Sequence, residues 1–183
     1  ARITALAHRG GRITSVTVND DHRVDVETVV STLPLTLLVR LLAPSPPKEV
    51  RSVSRAMRFR HLRLAVLGLD RPRLTRNASL YFPDRSIPFT RLYEPTNRSP
   101  DMAPDDRTVV VLELPCEQDD AAWELSPEAL RTRAVDLLQD QNLLAGADEV
   151  VAFDDHAVPF AYPILDLGAT ERADTLKRYL DRF

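Results

Sequence analysis

The sequence predicts an α+β fold, with an antiparallel or mixed β-sheet flanked by helices and an N-terminal β-meander. Most of the predicted strands follow one another without the helical crossovers that a doubly wound parallel sheet requires. Short turn signals separate the first three of them. The chain has 183 residues, 44% of them hydrophobic, which is enough to bury a core.

The meander comes first. Apolar and polar residues alternate before Gly10-Gly11, between that turn and Asn19-Asp20-Asp21, and again after it. This pattern is typical of three hairpin-connected strands. The third strand is expected to continue as an apolar return strand through residues 28–33.

Helical and strand signals then alternate along the rest of the chain. Pro34 suits the first turn of a leucine-rich helix, and a proline hinge at 43–50 leads into a short second helix. Ser126 followed by Pro127 predicts the start of a third helix. The remaining predictions are strands at 59–69, 81–82, 89–93, 108–114 and 149–153, an extended aromatic-proline loop at 157–168, and a terminal helix at 171–183.

Composition excludes several classes of function. The formal net charge of -3 argues against nucleic-acid binding, which normally needs a basic excess. Cys116 is the only cysteine, which fits a reducing, cytoplasmic compartment. No apolar run approaches the roughly 20 residues of a spanning helix, and the charged opening is not a signal peptide, so no membrane partner is expected.

Motifs for the commonest cofactor and metal sites do not occur in the sequence. Its five glycines form neither a GxGxxG fingerprint nor a P-loop. The four histidines lack ligand spacing, so no metal site is predicted. The run Asp154-Asp155-His156 is interpreted as turn chemistry at the end of a strand rather than as an acid/base pair.

The segment 80–104, LYFPDRSIPFTRLYEPTNRSPDMAP, carries the strongest functional signal. Tyr81 and Arg91 fall on the two arms of a predicted hairpin and are expected to share one side of it. An aromatic ring beside a guanidinium suits a nucleotide diphosphate or another planar anion. The alternative is structural, with Arg91 in an ion pair with Glu94 or Glu113.

Three elements carry a family resemblance. VVSTLPLTLLVRLL at 29–42 resembles the strand-to-helix return of the FAD-dependent amine oxidase and protoporphyrinogen oxidase superfamily. LYFPDRSIPFTR with TNRSPDMAP, and then FAYPILDLG, are similar in the same order to elements of the UDP-galactopyranose mutases. The resemblance implies a substrate-domain segment of a flavoprotein that isomerises a nucleotide-sugar ring through reduced FAD.

Site residues follow from this resemblance. It implies that Tyr81 lies near the uridine, that Arg91 and Tyr162 lie on the diphosphate, and that Arg98 lines the same substrate site. Three further residues are implied to lie near the flavin: Ser31, Thr32 and Pro34.

The sequence also departs from the mutase pattern. Thr96 and Arg98 replace a serine and an aromatic residue of the S-N-x-S element, and Ile164-Leu165-Asp166 replaces the stretch after Tyr162-Pro163. The substrate is therefore open. A flavin-dependent amine or protoporphyrinogen-type oxidase or dehydrogenase is one alternative, and a non-catalytic interaction module is another.

The resemblance also implies a domain organisation. Residues 1–33 would be the meander and return strand on the flavin-domain side, 34–168 the substrate-binding domain and 169–183 a terminal helix. The chain is expected to be a piece of a longer enzyme that binds FAD and a small-molecule substrate. Alone it should neither retain FAD nor turn over, and its exposed sheet edges would favour a homodimer.

Overall fold

The computed structural model describes residues 1–183 and confirms the α+β class. The strands are β1 (Ile3–Arg9), β2 (Arg12–Val18), β3 (His22–Asp25), β4 (Leu42–Ala43), β5 (Phe59–Leu69), β6 (Ser79–Tyr81), β7 (Arg91–Tyr93), β8 (Thr108–Cys116) and β9 (Val150–Pro163). The helices are α1 (Leu35–Leu41), α2 (Lys48–Ala56), α3 (Pro127–Asp140) and α4 (Ala169–Leu180). None of these helices has the length and apolar composition needed to span a membrane.

The chain forms two compact units, the first made of residues 1–59 and 163–183 and the second of residues 60–162. In the first unit a four-stranded sheet has the order β3-β2-β1-β4. The predicted meander is confirmed, because β1, β2 and β3 pair antiparallel in succession. Gly10 and Gly11 make its first turn with φ of 60° and 75°, a conformation that favours glycine.

Helices α1, α2 and α4 pack together in this unit. Pro34 precedes α1 and Pro47 precedes α2, as expected for residues whose ring fixes φ near the helical value. The buried apolar core consists of Leu6, Val39, Leu42, Val50, Leu176 and Tyr179.

The predicted return strand is wrong. After β3 ends at Asp25, no residue from 26 to 34 is in a strand. The Val26 amide still donates to the Thr14 carbonyl of β2 at 3.1 Å, and the ladder between β2 and β3 ends there. The apolar side chains of the segment are half-buried or exposed, Val30 at 90%.

The second unit contains a five-stranded sheet of order β6-β7-β8-β5-β9. β5 and β8 pair antiparallel along nine residue pairs, from His61 with Cys116 to Leu69 with Thr108. α3 begins as predicted, because Ser126 Oγ accepts a hydrogen bond from the Ala129 amide at 3.2 Å and Pro127 follows in the first turn.

One face of this sheet is buried with α3. Alternate residues of β5 and β8, including Leu67 and Leu112, join Leu130 and Leu138 of α3 in one apolar cluster. The opposite face carries the intervening residues, several of them partly exposed. Tyr81 and Arg91, two of the predicted site residues, lie on this second face, which we call the open face.

Strand β9 extends further than predicted. It continues to Pro163 through most of the segment expected to be a loop. The turn assigned to Asp154-Asp155-His156 is therefore also wrong, because these residues lie within the strand. Asp155 forms an ion pair there with Arg63, whose side chain is only 6% exposed.

Candidate substrate-binding face

The prediction that Tyr81 and Arg91 share one side of a hairpin is confirmed by the strand register. In the β6–β7 ladder Tyr81 lies opposite Arg91, and in the β7–β8 ladder Arg91 lies opposite Glu113. Side chains directly across a ladder lie on the same side of the sheet, and residues two apart on a strand do too. Tyr81, Arg91, Tyr93 and Glu113 therefore share the open face.

Arg91 and Glu113 form the charged centre of this face. Arg91 Nη2 donates a hydrogen bond to Glu113 Oε1 within an ion pair, and the Glu113 side chain is only 8% exposed. The guanidinium carbon also lies 5.2 Å from the centroid of the Tyr93 ring. The hydrogen bond from Glu113, opposed by burial and aided by Tyr81, holds the pKa of Arg91 above its ordinary value. Arg91 is thus a permanent, oriented cation.

Electrostatic effects at Tyr93 show that the remaining candidates lie nearby. Burial, followed by the charge of Glu113, raises the pKa of Tyr93, while the charges of Arg91 and Arg98 act in the opposite direction. Tyr162 affects the pKa values of both Tyr93 and Arg91. Tyr81 and Arg91 therefore lie opposite each other, Arg98 donates to Ser79, which lies opposite Tyr93, and Tyr162 is within electrostatic range of the same pair.

The aromatic members of this group differ in exposure. Tyr81 is 69% exposed and Tyr162 is 48% exposed, whereas Tyr93 is partly buried beneath Arg91. Exposed rings offer flat apolar faces to a ligand, while their hydroxyls remain available for hydrogen bonds. The arrangement can offer exposed tyrosine rings to a planar group of a ligand and the Arg91 guanidinium to an anionic group.

A buried carboxylate fixes the position of Arg98 and of the end of β7. Glu94 is fully buried and accepts hydrogen bonds from the amides of Leu74 and Thr75 at 2.8 and 2.9 Å. Thr108 Oγ1 and Asn97 Nδ2 also donate to it, at 2.7 and 3.0 Å. We call this group the Glu94 network. It ties the loop before β6 to the turn that carries Arg98, and Arg98 Nη2 donates to Ser79 Oγ at 3.3 Å.

Tyr162 follows an irregular part of β9. Phe160 has a φ of 56°, which is uncommon for a residue with a side chain. The Phe160 amide donates to His61 Nδ1 at 3.1 Å, and the His61 ring lies edge-on to the rings of Trp123 and Phe160. This contact constrains the backbone two residues before Tyr162.

The residues predicted to lie near the flavin are in the first unit. Ser31 lines an open cleft of about 360 Å³ together with apolar residues such as Leu6, Ile13 and Leu38. Thr32 lines an adjoining cleft, and Pro34 precedes α1. An apolar wall fits one side of a ring system, but no glycine-rich phosphate cradle is present.

Sequence reasoning missed some members of the open face. Tyr93 was not assigned to the site, although its spacing of two from Arg91 was a usable signal. The ion pair of Arg91 with Glu113, the structural alternative, is confirmed, whereas Glu94 binds other groups. No three or more histidine, cysteine, aspartate or glutamate side chains lie close enough together to bind a metal ion.

Most of the chain matches a known protein family. Residues 1–163 match the sequence model of the flavin-containing amine oxidoreductase family. The chain belongs to this family. No curated protein sequence matches it significantly.

Several solved structures share the fold at low identity. A reduced UDP-galactopyranose mutase superposes with a TM-score of 0.73 at 19% identity, covering 98% of this chain and 38% of the mutase. A protein from Exiguobacterium sp. 255-15 assigned as a protoporphyrinogen oxidase gives 0.67 at 16% identity, covering 99% and 40%. A putrescine oxidase triple mutant gives 0.63 at 20% identity, covering 95% and 39%. The chain thus spans about two fifths of each of these proteins.

Proposed function

We propose that this chain forms the substrate-binding side of an FAD-dependent flavoprotein, and that the substrate is a nucleotide diphosphate sugar whose ring is isomerised. Membership in the flavin-containing amine oxidoreductase family supports the cofactor. The observation that carries the substrate proposal is the grouping of Tyr81, Arg91, Arg98 and Tyr162 around the Arg91–Glu113 pair. Similarity in fold to a UDP-galactopyranose mutase agrees with it.

The residues of this chain would bind and orient the substrate. Arg91 supplies a rigid fork of N–H donors for a diphosphate oxygen, and the Glu113 carboxylate keeps that fork in place. Tyr81 and Tyr162 would contact the nucleotide base and the diphosphate. Reduced FAD, when bound, would supply the nucleophile for ring opening and reclosure.

The charge balance of the open face makes this proposal specific. Glu113 neutralises part of the charge on Arg91, so Arg98, which forms no ion pair, is the second cation that a diphosphate requires. Removing the Glu113 charge should therefore strengthen anion binding, whereas removing the Arg91 charge should weaken it.

A thermodynamic cycle with two ligands tests the proposal. UDP and uridine are titrated by calorimetry into the flavin-bound full-length protein that contains this chain, as wild type and as Arg91→Met combined with Glu113→Gln. The double variant avoids leaving Glu113 buried without its cation. We expect UDP to bind at least 10-fold more weakly, a loss of about 1.4 kcal/mol, with uridine affinity nearly unchanged.

A matched control uses the same hairpin. Arg85 is exposed in the turn between β6 and β7, and no ion pair involves it. Arg85→Gln should change UDP affinity less than 2-fold. Equal losses for UDP in both variants, or equal losses for UDP and uridine in the double variant, would contradict a diphosphate contact by Arg91.

A flavin-dependent amine oxidase is the second candidate. The open face could also attract a cation, because three tyrosine rings lie there near the Glu113 carboxylate. Anaerobic mixing of substrate with the oxidised protein distinguishes the two functions. Reduction of the flavin by an amine would favour the oxidase, whereas turnover of a nucleotide sugar only after chemical pre-reduction would favour the isomerase.

A further inference from the structure

A second cluster of arginines belongs to the first unit, whereas the open face belongs to the second. Arg40, Arg51 and Arg55 line an open cleft of about 460 Å³, together with Ser45 and Pro46. That volume is in the range of small-molecule sites, roughly 300–1,000 Å³. We call this site the arginine cleft.

The arginine cleft is built by two helices and the proline-rich segment between them. Arg51 and Arg55 are four residues apart on α2, so they project from the same side of the helix, while Val50 and Ser54 are buried on another. Arg40 comes from the last turn of α1, and its Nη2 donates to the backbone carbonyl of Ser54 at 3.4 Å. This hydrogen bond directs Arg40 toward α2.

The charge of the arginine cleft is uncompensated. None of its three arginines forms an ion pair, although seven other arginines of the chain do. Glu49 is the one acidic residue of α2, and it does not line the cleft. Three like charges brought together without a carboxylate repel one another, and a bound anion would relieve that repulsion.

We infer that the arginine cleft binds an anion of the phosphate class, as a free phosphate or diphosphate or as the headgroup of an anionic lipid. Guanidinium forks match phosphate oxygens bidentately, and a tetrahedral group offers oxygens to forks that approach from several sides. A carboxylate presents its two oxygens in one plane and cannot serve three forks equally. Ser45 also lines the cleft, and its hydroxyl can serve as a neutral donor. This inference is independent of the function proposed for the open face.

The test measures binding of pyrophosphate to the 183-residue chain by calorimetry and by amide shifts in NMR spectra. The background is Arg91→Met combined with Glu113→Gln, so that the open face does not contribute, and in it we expect saturable 1:1 binding with shifts centred on α2. Adding Arg51→Gln and Arg55→Gln should weaken this binding at least 10-fold. The control adds Arg131→Gln and Arg133→Gln on α3, which removes the same charge from residues that line no described cleft, and should stay within 2-fold of the background.

A parallel arm identifies the source of the phosphate. Sedimentation with vesicles of phosphatidylglycerol and phosphatidylcholine is compared with vesicles of phosphatidylcholine alone. Saturable pyrophosphate binding supports a free phosphate ligand, and α2-dependent binding to the anionic vesicles without pyrophosphate binding supports a lipid headgroup. Absence of both, or equal weakening by the α2 and α3 variants, would overturn the inference.

Discussion

Substituting Glu94 by glutamine tests whether the buried Glu94 network supports the open face. The carboxylate accepts four hydrogen bonds, two at each oxygen. A glutamine oxygen can keep the pair from Thr75 and Asn97, and the Thr108 hydroxyl can rotate to accept from the new amide. The Leu74 N–H then faces the glutamine NH2, which is also a donor, and is left without an acceptor.

The magnitude follows from these contacts. A buried donor without an acceptor costs about 1–3 kcal/mol, and the remaining bonds each weaken by about 1 kcal/mol when the acceptor loses its charge. Relief from burying a carboxylate charge offsets part of that sum. We expect Glu94→Gln to lower the free energy of unfolding by about 2–4 kcal/mol, which corresponds to a Tm lower by roughly 4–16 °C for a chain of this length.

Urea unfolding followed by circular dichroism measures the effect, with thermal melting as a second readout. Glu124→Gln is the control, since Glu124 is exposed and should change stability by less than about 0.5 kcal/mol. In NMR spectra of Glu94→Gln, the amides of Tyr93 and Arg98 should shift as well. The reasoning is refuted if the two variants unfold at the same urea concentration.

Three further predictions concern other parts of the chain. Asp155→Asn leaves the buried Arg63 without its ion-pair partner and should destabilise the fold by about 3 kcal/mol, while Asp154→Asn at the exposed neighbouring position should cost little; equal urea midpoints would contradict this. Burial raises the pKa of the Cys116 thiol, so the stability linked to its protonation is complete below the unfolded thiol pKa, near 9, and is lost as pH rises through the higher folded value. Iodoacetamide should accordingly modify Cys116 only in urea, and rapid labelling of the folded chain would be inconsistent with burial. The isolated chain should bind FAD more weakly than micromolar in a fluorescence titration, because it has no phosphate cradle, and micromolar or tighter binding would show that prediction to be wrong.

Local patterns predicted most of the fold, because these elements are specified by their own residues. The two turns of the meander, Pro34 before α1, and Ser126 before α3 all have short-range physical causes. The failures were different in kind. Residues 28–33 have strand-like composition but form no ladder, whereas β9 runs on with β5 beside it. Pairing partners distant in sequence decide such cases, and periodicity does not reveal them.

The candidate site was predictable to a similar extent. Hairpin spacing was enough to place Tyr81 and Arg91 on one side of the hairpin, and the resemblance added Arg98 and Tyr162. The contribution of Glu113 depends on the register between β7 and β8, which are separated by fourteen residues of loop and short helical turns. The Glu94 network likewise joins segments that are distant in sequence, so its arrangement required the folded structure.

A crystal structure of the flavin-bound full-length protein with UDP is the most direct test of the substrate-binding face. The account predicts that a diphosphate oxygen lies within about 3 Å of the Arg91 guanidinium, the hydrogen-bond distance, and that the Tyr81 and Tyr162 rings contact the nucleotide. A nucleotide bound elsewhere, with the Arg91–Glu113 pair untouched, would contradict the assignment of the open face as the substrate-binding surface.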